Sequence, residues 1–410
     1  MRYNALSKGR LLVYNMIQNG TIASPRGFTA GAAAAGIKYT DRLDLAVLCS
    51  EQPATAAGVF TRNPVRSAPV LLSARRIQRG TAMAVVANAG CANACTGARG
   101  LKDAETMTSL VAKRFGLSPE DVLVASTGVI GTYMPLDRIS TGIESIQPDT
   151  SRGHDFAQAI MTTDTTCKEA AIHIASPEGQ FTIGAAAKGS GMIHPNMGTL
   201  LCFVSTDAVV EPAFLRTALS RCVDRTFNMV SVDGDTSPSD TVLVFANGLA
   251  GNQPFDDTNG APFEEALQHV CEYLAKAVAA DGEGATKLLE VLVTGARTEE
   301  DARIAARTVA SSMLVKCAIH GADPNWGRVI CAAGRSGALI EPHVISMTLC
   351  GVPVMSEGMP VLFDHVSLRS LLAEAHVSIG VHLALGDGCA TAWGCDLSHD
   401  YVTINASYTT

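Results

Sequence analysis

Charge is scarce in this 410-residue chain: only 17% of residues are charged, against a usual share of about a quarter. Aromatics are scarcer still at 5%, with two tryptophans. The charge that exists leans acidic, Lys+Arg 31 against Asp+Glu 39 for a net −8, so the broad basic footprint of a nucleic-acid or anionic-membrane partner is missing. No apolar run approaches the ~20 residues of a membrane span. Twelve cysteines are present, yet no two are spaced C-x-x-C, which excludes zinc-ribbon and thioredoxin-type motifs. Disulfide frameworks belong to much shorter secreted chains, so the expectation is reduced, mostly buried thiols in a cytoplasmic protein. No acidic residue precedes Asp41, while Arg2, Lys8 and Arg10 do; this basic start reads as an extra arm, with organellar targeting as its alternative.

What the chain does have is apolar bulk. Hydrophobic residues make up 47% and glycines number 37, which excludes disorder and implies large buried faces and an oligomer. Strand-like and helix-like stretches alternate without a long linker or a fixed-period repeat, so the expected class is α/β in mixed layers rather than a solenoid. Met83 to Ala87, Val122 to Ala125, Leu200 to Ser205 and Thr241 to Ala246 read as short buried strands. Leu101 to Phe115 has helical spacing and stops at Gly116, and Ser118-Pro119 opens the next turn. Pro262 to Ala280 carries Phe263, Ala266, Leu267, Val270, Leu274 and Val278 on one helical stripe. Leu289, Val291 and Val293 alternate as a strand, and Thr298 with Asp301 forms a capping box.

Five polar, glycine-dense loops are candidates for chemistry. Asn88 to Gly97 follows a strand and lacks the spacing of a phosphate-binding loop; it reads equally as a tight connection. Ser126-Thr127-Gly128-Val129-Ile130-Gly131 ends another strand, where backbone N–H groups and a Thr hydroxyl can stabilise an oxyanion. Lys188 to Thr199 runs abruptly into a buried strand, a setting that suits an N-terminal nucleophile: cutting Gly198–Thr199 frees an α-amine, with pKa near ~8, to act as base for the Thr199 hydroxyl. An ordinary loop-to-strand junction is the plain alternative. Asp233 and Asp235 invite a Mg2+-dependent phosphohydrolase reading, against a turn whose Asp, Ser and Thr satisfy their own backbone. His320 to Arg328 holds one of the two tryptophans; Asp323-Pro324 forces a turn, and Arg328 is placed to pair with a carboxylate. None of the ten histidines has metal-ligand spacing, and His269 reads as surface or packed.

Taken in order, these stretches resemble the ornithine acetyltransferase (glutamate N-acetyltransferase) family of arginine biosynthesis. The resemblance runs from Ser24-Pro-Arg-Gly-Phe through Gly58-Val-Phe-Thr-Arg-Asn63, the loop at Ser126, Ile160-Met-Thr-Thr-Asp-Thr165, and Lys188 to Thr199. It continues through Thr226-Phe-Asn228, Asp281-Gly-Glu-Gly284, Asp323 to Arg328, Ala392-Trp-Gly-Cys-Asp-Leu397 and Asn405 to Thr410. It implies an αββα sandwich, cut by the protein itself into intertwined α and β chains: residues 22–198 and 199–410, preceded by an N-terminal extension of residues 1–21. Thr199 would take acetyl from N2-acetyl-L-ornithine and pass it to L-glutamate in a ping-pong cycle. Thr127 and Gly128 match the oxyanion hole, while Thr162, Lys188, Glu283, Asn405 and Thr410 match positions that hold the substrate, Thr162 being harder to separate from Thr163 than the others. Gly198 stands where members commonly carry Ala, which loosens the scissile bond. The resemblance also implies a heterotetramer of two α and two β chains, no cofactor or metal, and acetyl-CoA as an open second donor. The alternatives are a specialised paralogue, an N-terminal-nucleophile aminopeptidase, the Asp233/Asp235 phosphohydrolase and an uncleaved scaffold.

Overall fold

A computed structural model describes residues 2–7, 10–194 and 200–407, with side chains from Tyr14 onward. Eleven strands occupy the first 246 residues: β1 (Arg2–Ser7), β2 (Arg10–Met16), β3 (Phe28–Ala33), β4 (Leu45–Phe60), β5 (Thr81–Cys91), β6 (Val122–Val129), β7 (Lys168–Ser176), β8 (Gly179–Lys188), β9 (Leu201–Thr206), β10 (Val230–Ser231) and β11 (Thr241–Ala246). Ten of them form one sheet in the order β1-β2-β7-β8-β9-β11-β4-β5-β6, with β3 paired to β4 off that path. The basic arm is part of this sheet, since β2 pairs antiparallel with β7.

Period-two alternation builds the layers, because successive side chains of a strand face opposite ways. Ala46, Leu48, Val85, Ala87, Leu123 and Ala125 face a central core together with Leu201, Phe203, Leu243 and Phe245 from the other half of the sheet. Their neighbours Leu45, Val47, Ala84, Val86, Val122 and Val124 face outward onto helices α1 (Ala68–Arg76), α2 (Gly97–Phe115) and α3 (Leu136–Ser145). On the opposite side Cys202, Val204, Val242 and Val244 pack on helices α5 (Pro212–Arg225) and α6 (Ala261–Ala280), while the short α4 (Gly153–Ala159) contributes Phe156 to the central core. The result is helices, sheet, sheet, helices: the αββα sandwich. Sixteen-residue β4 joins the two sheet halves. Leu45 to Cys49 pair with β5, Thr55 to Phe60 pair with β11, and the register shifts between Cys49 and Ala54. Such an irregularity bends a strand and increases its twist.

A second sheet, less visible in the sequence, follows. It contains β12 (Leu288–Ala296), β13 (Ser346–Leu349), β14 (Val352–Ser356), β15 (Met359–Pro360), β16 (His376–His382) and β17 (Gly388–Cys395), ordered β10-β17-β12-β16-β13-β14-β15. Helix α6 touches both sheets, and α7 (Glu299–Ala310) covers β12 and β17. The predicted cap is present, with Thr298 Oγ1 accepting from the Asp301 N–H at 3.0 Å. Gly116 ends α2 in the left-handed conformation, φ 70°.

Two expectations need correction. All twelve cysteines are free, but five are buried and four exposed, so the thiols are not mostly buried. Among the described residues Arg328 pairs with no carboxylate; it donates to the Leu314 carbonyl at 2.8 Å, because the turn at Asp323-Pro324 starts helix α9 (Trp326–Gly334) beside helix α8 (Met313–His320). His269 is packed, stacked on Tyr14. No helix among the described residues is long and apolar enough to cross a membrane.

Candidate active site

Parallel strands β5 and β6 end side by side, with Gly90 opposite Gly128. Both glycines have positive φ, 105° and 124°, where an L side chain is strained. A Cβ on Gly128 would lie 2.4 Å from the Gly90 carbonyl carbon and 2.7 Å from the Cys91 nitrogen, so only glycine lets the two backbones approach. Beside them opens a cleft of about 120 Å³.

The cleft gathers Thr127, Gly128, Thr162, Lys188, Glu283 and Asn405 from five separate stretches of chain. Thr163 lines it too, so geometry does not separate the two threonines. Gly198, Thr199 and Thr410 lie outside the described residues. Their neighbour Leu200 accepts a hydrogen bond from the Thr241 N–H at 3.0 Å, and Leu201 pairs with Lys188 across β8 and β9. The loop after Asn88 is cleft wall, through Gly90 and Ala92.

Lys188 supplies the cleft's buried cation. It is 3% exposed, and its ammonium donates to Thr127 Oγ1 at 3.3 Å. An ammonium has three protons to give, and among the described residues this is its one hydrogen bond. Burial pushes its pKa below the usual lysine range, with the Asp164 carboxylate opposing that shift. Because Thr127 Oγ1 accepts from Lys188, its own proton can be given to another acceptor.

At the other side stands Glu283, 7% exposed. Asn405, on the helix His399–Ser407, donates to Glu283 Oε2 at 2.8 Å, and the Glu283 N–H donates to the Ser190 carbonyl at 3.0 Å. Gly191 makes room for this carboxylate: a Cβ there would sit 2.4 Å from its atoms.

Beneath the cleft, Asp164 ties two of its loops together. Its carboxylate accepts from the Thr162 N–H at 3.0 Å and the Gly189 N–H at 2.7 Å. Burial raises its pKa, but Lys188, Lys168 and these N–H donors outweigh that and hold it at about 2.

Asp233 is a turn anchor. Its oxygens accept from the backbone N–H groups of Met192 at 2.6 Å, Ile193 at 3.0 Å and Asp235 at 3.2 Å. Ser237 Oγ likewise accepts from the Ser239 N–H at 3.1 Å, and the Thr241 hydroxyl donates to the Ser239 carbonyl at 3.0 Å. Among the described residues no group of three His, Cys, Asp or Glu side chains could hold a metal. The phosphohydrolase reading loses its support here, since one of its two carboxylates, Asp233, is occupied by backbone donors.

Reading the sequence left Lys168, Asp281, Gly90 and Tyr401 without a role. Asp281 lies inside a motif, but nothing along the chain marks Lys168.

These residues acquire a family context from the whole chain, of which residues 29–410 match the ArgJ family model. The chain belongs to the ArgJ family. The arginine biosynthesis bifunctional protein ArgJ of Dehalococcoides mccartyi is 48% identical over 400 residues, covering 97% of this chain and 99% of that one. Its counterpart in Symbiobacterium thermophilum is 51% identical over 397 residues, covering 95% and 99%. Among solved structures, ornithine acetyltransferase complexed with ornithine from Mycobacterium tuberculosis is similar at 37% identity, covering 46% of this chain and 99% of that one with a TM-score of 0.42. The ArgJ match takes in every stretch that lines the cleft.

Proposed function

We propose that this ArgJ-family chain is an acetyltransferase of arginine biosynthesis that moves acetyl from N2-acetyl-L-ornithine to L-glutamate through an acetyl-Thr199 intermediate. One observation carries the reading: a buried ammonium, Lys188, shares a cleft with a buried carboxylate, Glu283. Ornithine presents an α-carboxylate and a side-chain ammonium, which are the complements of these two groups.

The reaction begins with processing. The Thr199 hydroxyl attacks the Gly198 carbonyl carbon, the peptide C–N bond breaks to leave an ester, and water releases a Gly198 carboxylate and a free Thr199 amine. That amine then takes the hydroxyl proton as Thr199 attacks the acetyl carbonyl. Collapse of the tetrahedral intermediate breaks the acetyl C–N bond, and the proton passes to the departing ornithine amine. Glutamate's amine attacks the acetyl ester in turn, regenerating the hydroxyl. Both intermediates carry an oxyanion; the roles given to Thr127 and Gly128 are its donors. Thr162, Lys188, Glu283, Asn405 and Thr410 hold the amino acid.

The division into 22–198 and 199–410, behind the arm 1–21, is supported by topology. Strands β9 and β11 lie between β8 and β4, so two chains cut at this point would share one sheet and stay together. Assembly as two α and two β chains, a cytoplasmic location and acetyl-CoA as a second donor belong to the same proposal.

Intact-mass analysis under denaturing conditions tests it. The expected result is fragments of 198 and 212 residues for the wild-type chain and one full-length chain for Thr199→Ala. A wild-type chain that stays whole refutes the mechanism. Acetyl passing to water faster than to glutamate would assign the site to hydrolysis instead.

A further inference from the structure

Lys188 has a second buried lysine for a neighbour. Lys168, at the start of β7, is 2% exposed. Its ammonium lies 2.7 Å from Asp164 Oδ1 and 2.5 Å from Asp281 Oδ2, and it donates to the Thr166 carbonyl at 3.3 Å. Each of the two carboxylates orders backbone beside the cleft. Asp164 holds the N–H groups of Thr162 and Gly189; Asp281 accepts from the Thr165 N–H at 3.0 Å and from the Thr165 hydroxyl, two residues before Glu283.

The charges must then be distributed. Lys188 and Lys168 both act on Asp164, yet only Lys168 is bonded to it, while Lys188 reaches Thr127 instead. A buried carboxylate without a bonded cation is costly and draws in the nearest one. Without the Lys168 charge, that nearest cation is Lys188.

We infer that Lys168 is a positioning residue for substrate recognition: by occupying Asp164 and Asp281 it keeps the Lys188 ammonium free for the ligand's α-carboxylate. The inference rests on the reading of Lys188 as the carboxylate grip. Neutralising Lys168 closes a Lys188–Asp164 pair and adds one net negative charge under the cleft, and both effects oppose a ligand carboxylate. A ligand whose carboxylate is replaced by a carboxamide is spared both.

Calorimetric binding of L-ornithine and L-ornithinamide to the purified wild-type protein and its variants separates the cases without needing turnover. Wild-type protein prefers the acid. Lys168→Met lowers that acid-to-amide preference by about tenfold or more, the size that goes with losing a close buried charge partner. Lys168→Gln, which keeps a donor for Asp164 but no charge, gives the same loss and serves if the methionine variant does not fold. In Lys168→Met/Asp164→Asn, where the carboxylate that would capture Lys188 is gone and the net charge under the cleft is restored, the preference returns to within about threefold of wild type. If Lys168→Met and Lys168→Gln keep the wild-type preference and only melt earlier, Lys168 is structural and the inference is overturned with the substrate reading intact. If wild-type protein does not distinguish acid from amide, Lys188 is not the carboxylate grip, and both readings fall.

Discussion

Gly128→Ala adds one methyl group where the structure has no room for it. The new Cβ would stand 2.4, 2.6 and 2.7 Å from the Gly90 carbonyl carbon, the Gly90 Cα and the Cys91 nitrogen. All three are backbone atoms, so no side chain can swing aside to relieve the clash. Ordinary contact starts near 3.4 Å, so the paired ends of β5 and β6 must separate by about 1 Å. Strain at φ 124° adds a cost of about 1–3 kcal/mol. A displacement of that size at a donor aimed at an oxyanion costs about 10²-fold in rate, and full loss of one such donor about 10²–10³-fold. The expected outcome is therefore a kcat for acetyl transfer lowered about 10²–10³-fold, with KM for N2-acetyl-L-ornithine nearly unchanged because Lys188 and Glu283 lie on other segments. Steady-state kinetics on material confirmed as processed by intact mass makes the measurement. A kcat within about threefold of wild type, in a variant whose Tm shows the strain, would remove Gly128 from the chemistry.

Four further outcomes follow from the same geometry. Burial lowers the Lys188 pKa, so KM for a carboxylate substrate rises as pH climbs through that depressed value, below the usual lysine range; Lys188→Met raises KM at all pH and abolishes this limb. Asp164 titrates at about 2 when folded against 3.8 when free, so its contribution to stability is present above the free value and lost as pH falls toward 2; Tm profiles of Asp164→Asn should converge on wild type only at the acid end. Thr298→Ala removes the α7 cap and lowers stability by about 1 kcal/mol, read as a lower Tm with unchanged kcat. Asp235→Asn retains acetyl transfer and chelators leave it unaffected; loss in both would return the metal-dependent reading.

Much of the layered fold was legible because its strands are buried on both faces and therefore read as unbroken apolar runs. Val122 to Ala125 and Thr241 to Ala246 are examples, and α6 announced itself by its stripe. Strand order was not legible. The bend in β4 depends on a register shift opposite β5, and the second sheet is assembled from short strands whose partners lie far apart in the chain. The cleft divides the same way. Gly128 could be singled out from its loop because a backbone that approaches another backbone needs glycine, a requirement that one position expresses by itself. Lys168 could not. Its partner Asp281 is 113 residues away, and a lone lysine after a polar loop is ordinarily a solvated side chain. Burial reverses that meaning: a buried ammonium must be paired, so the identity of its partners determines what it does, and that information exists only in the folded contact. The charge deficit of the sequence sharpens the point. In a chain with so few charges, Lys168 alone bridges Asp164 and Asp281 under the cleft, and removing it leaves both carboxylates without their bonded cation.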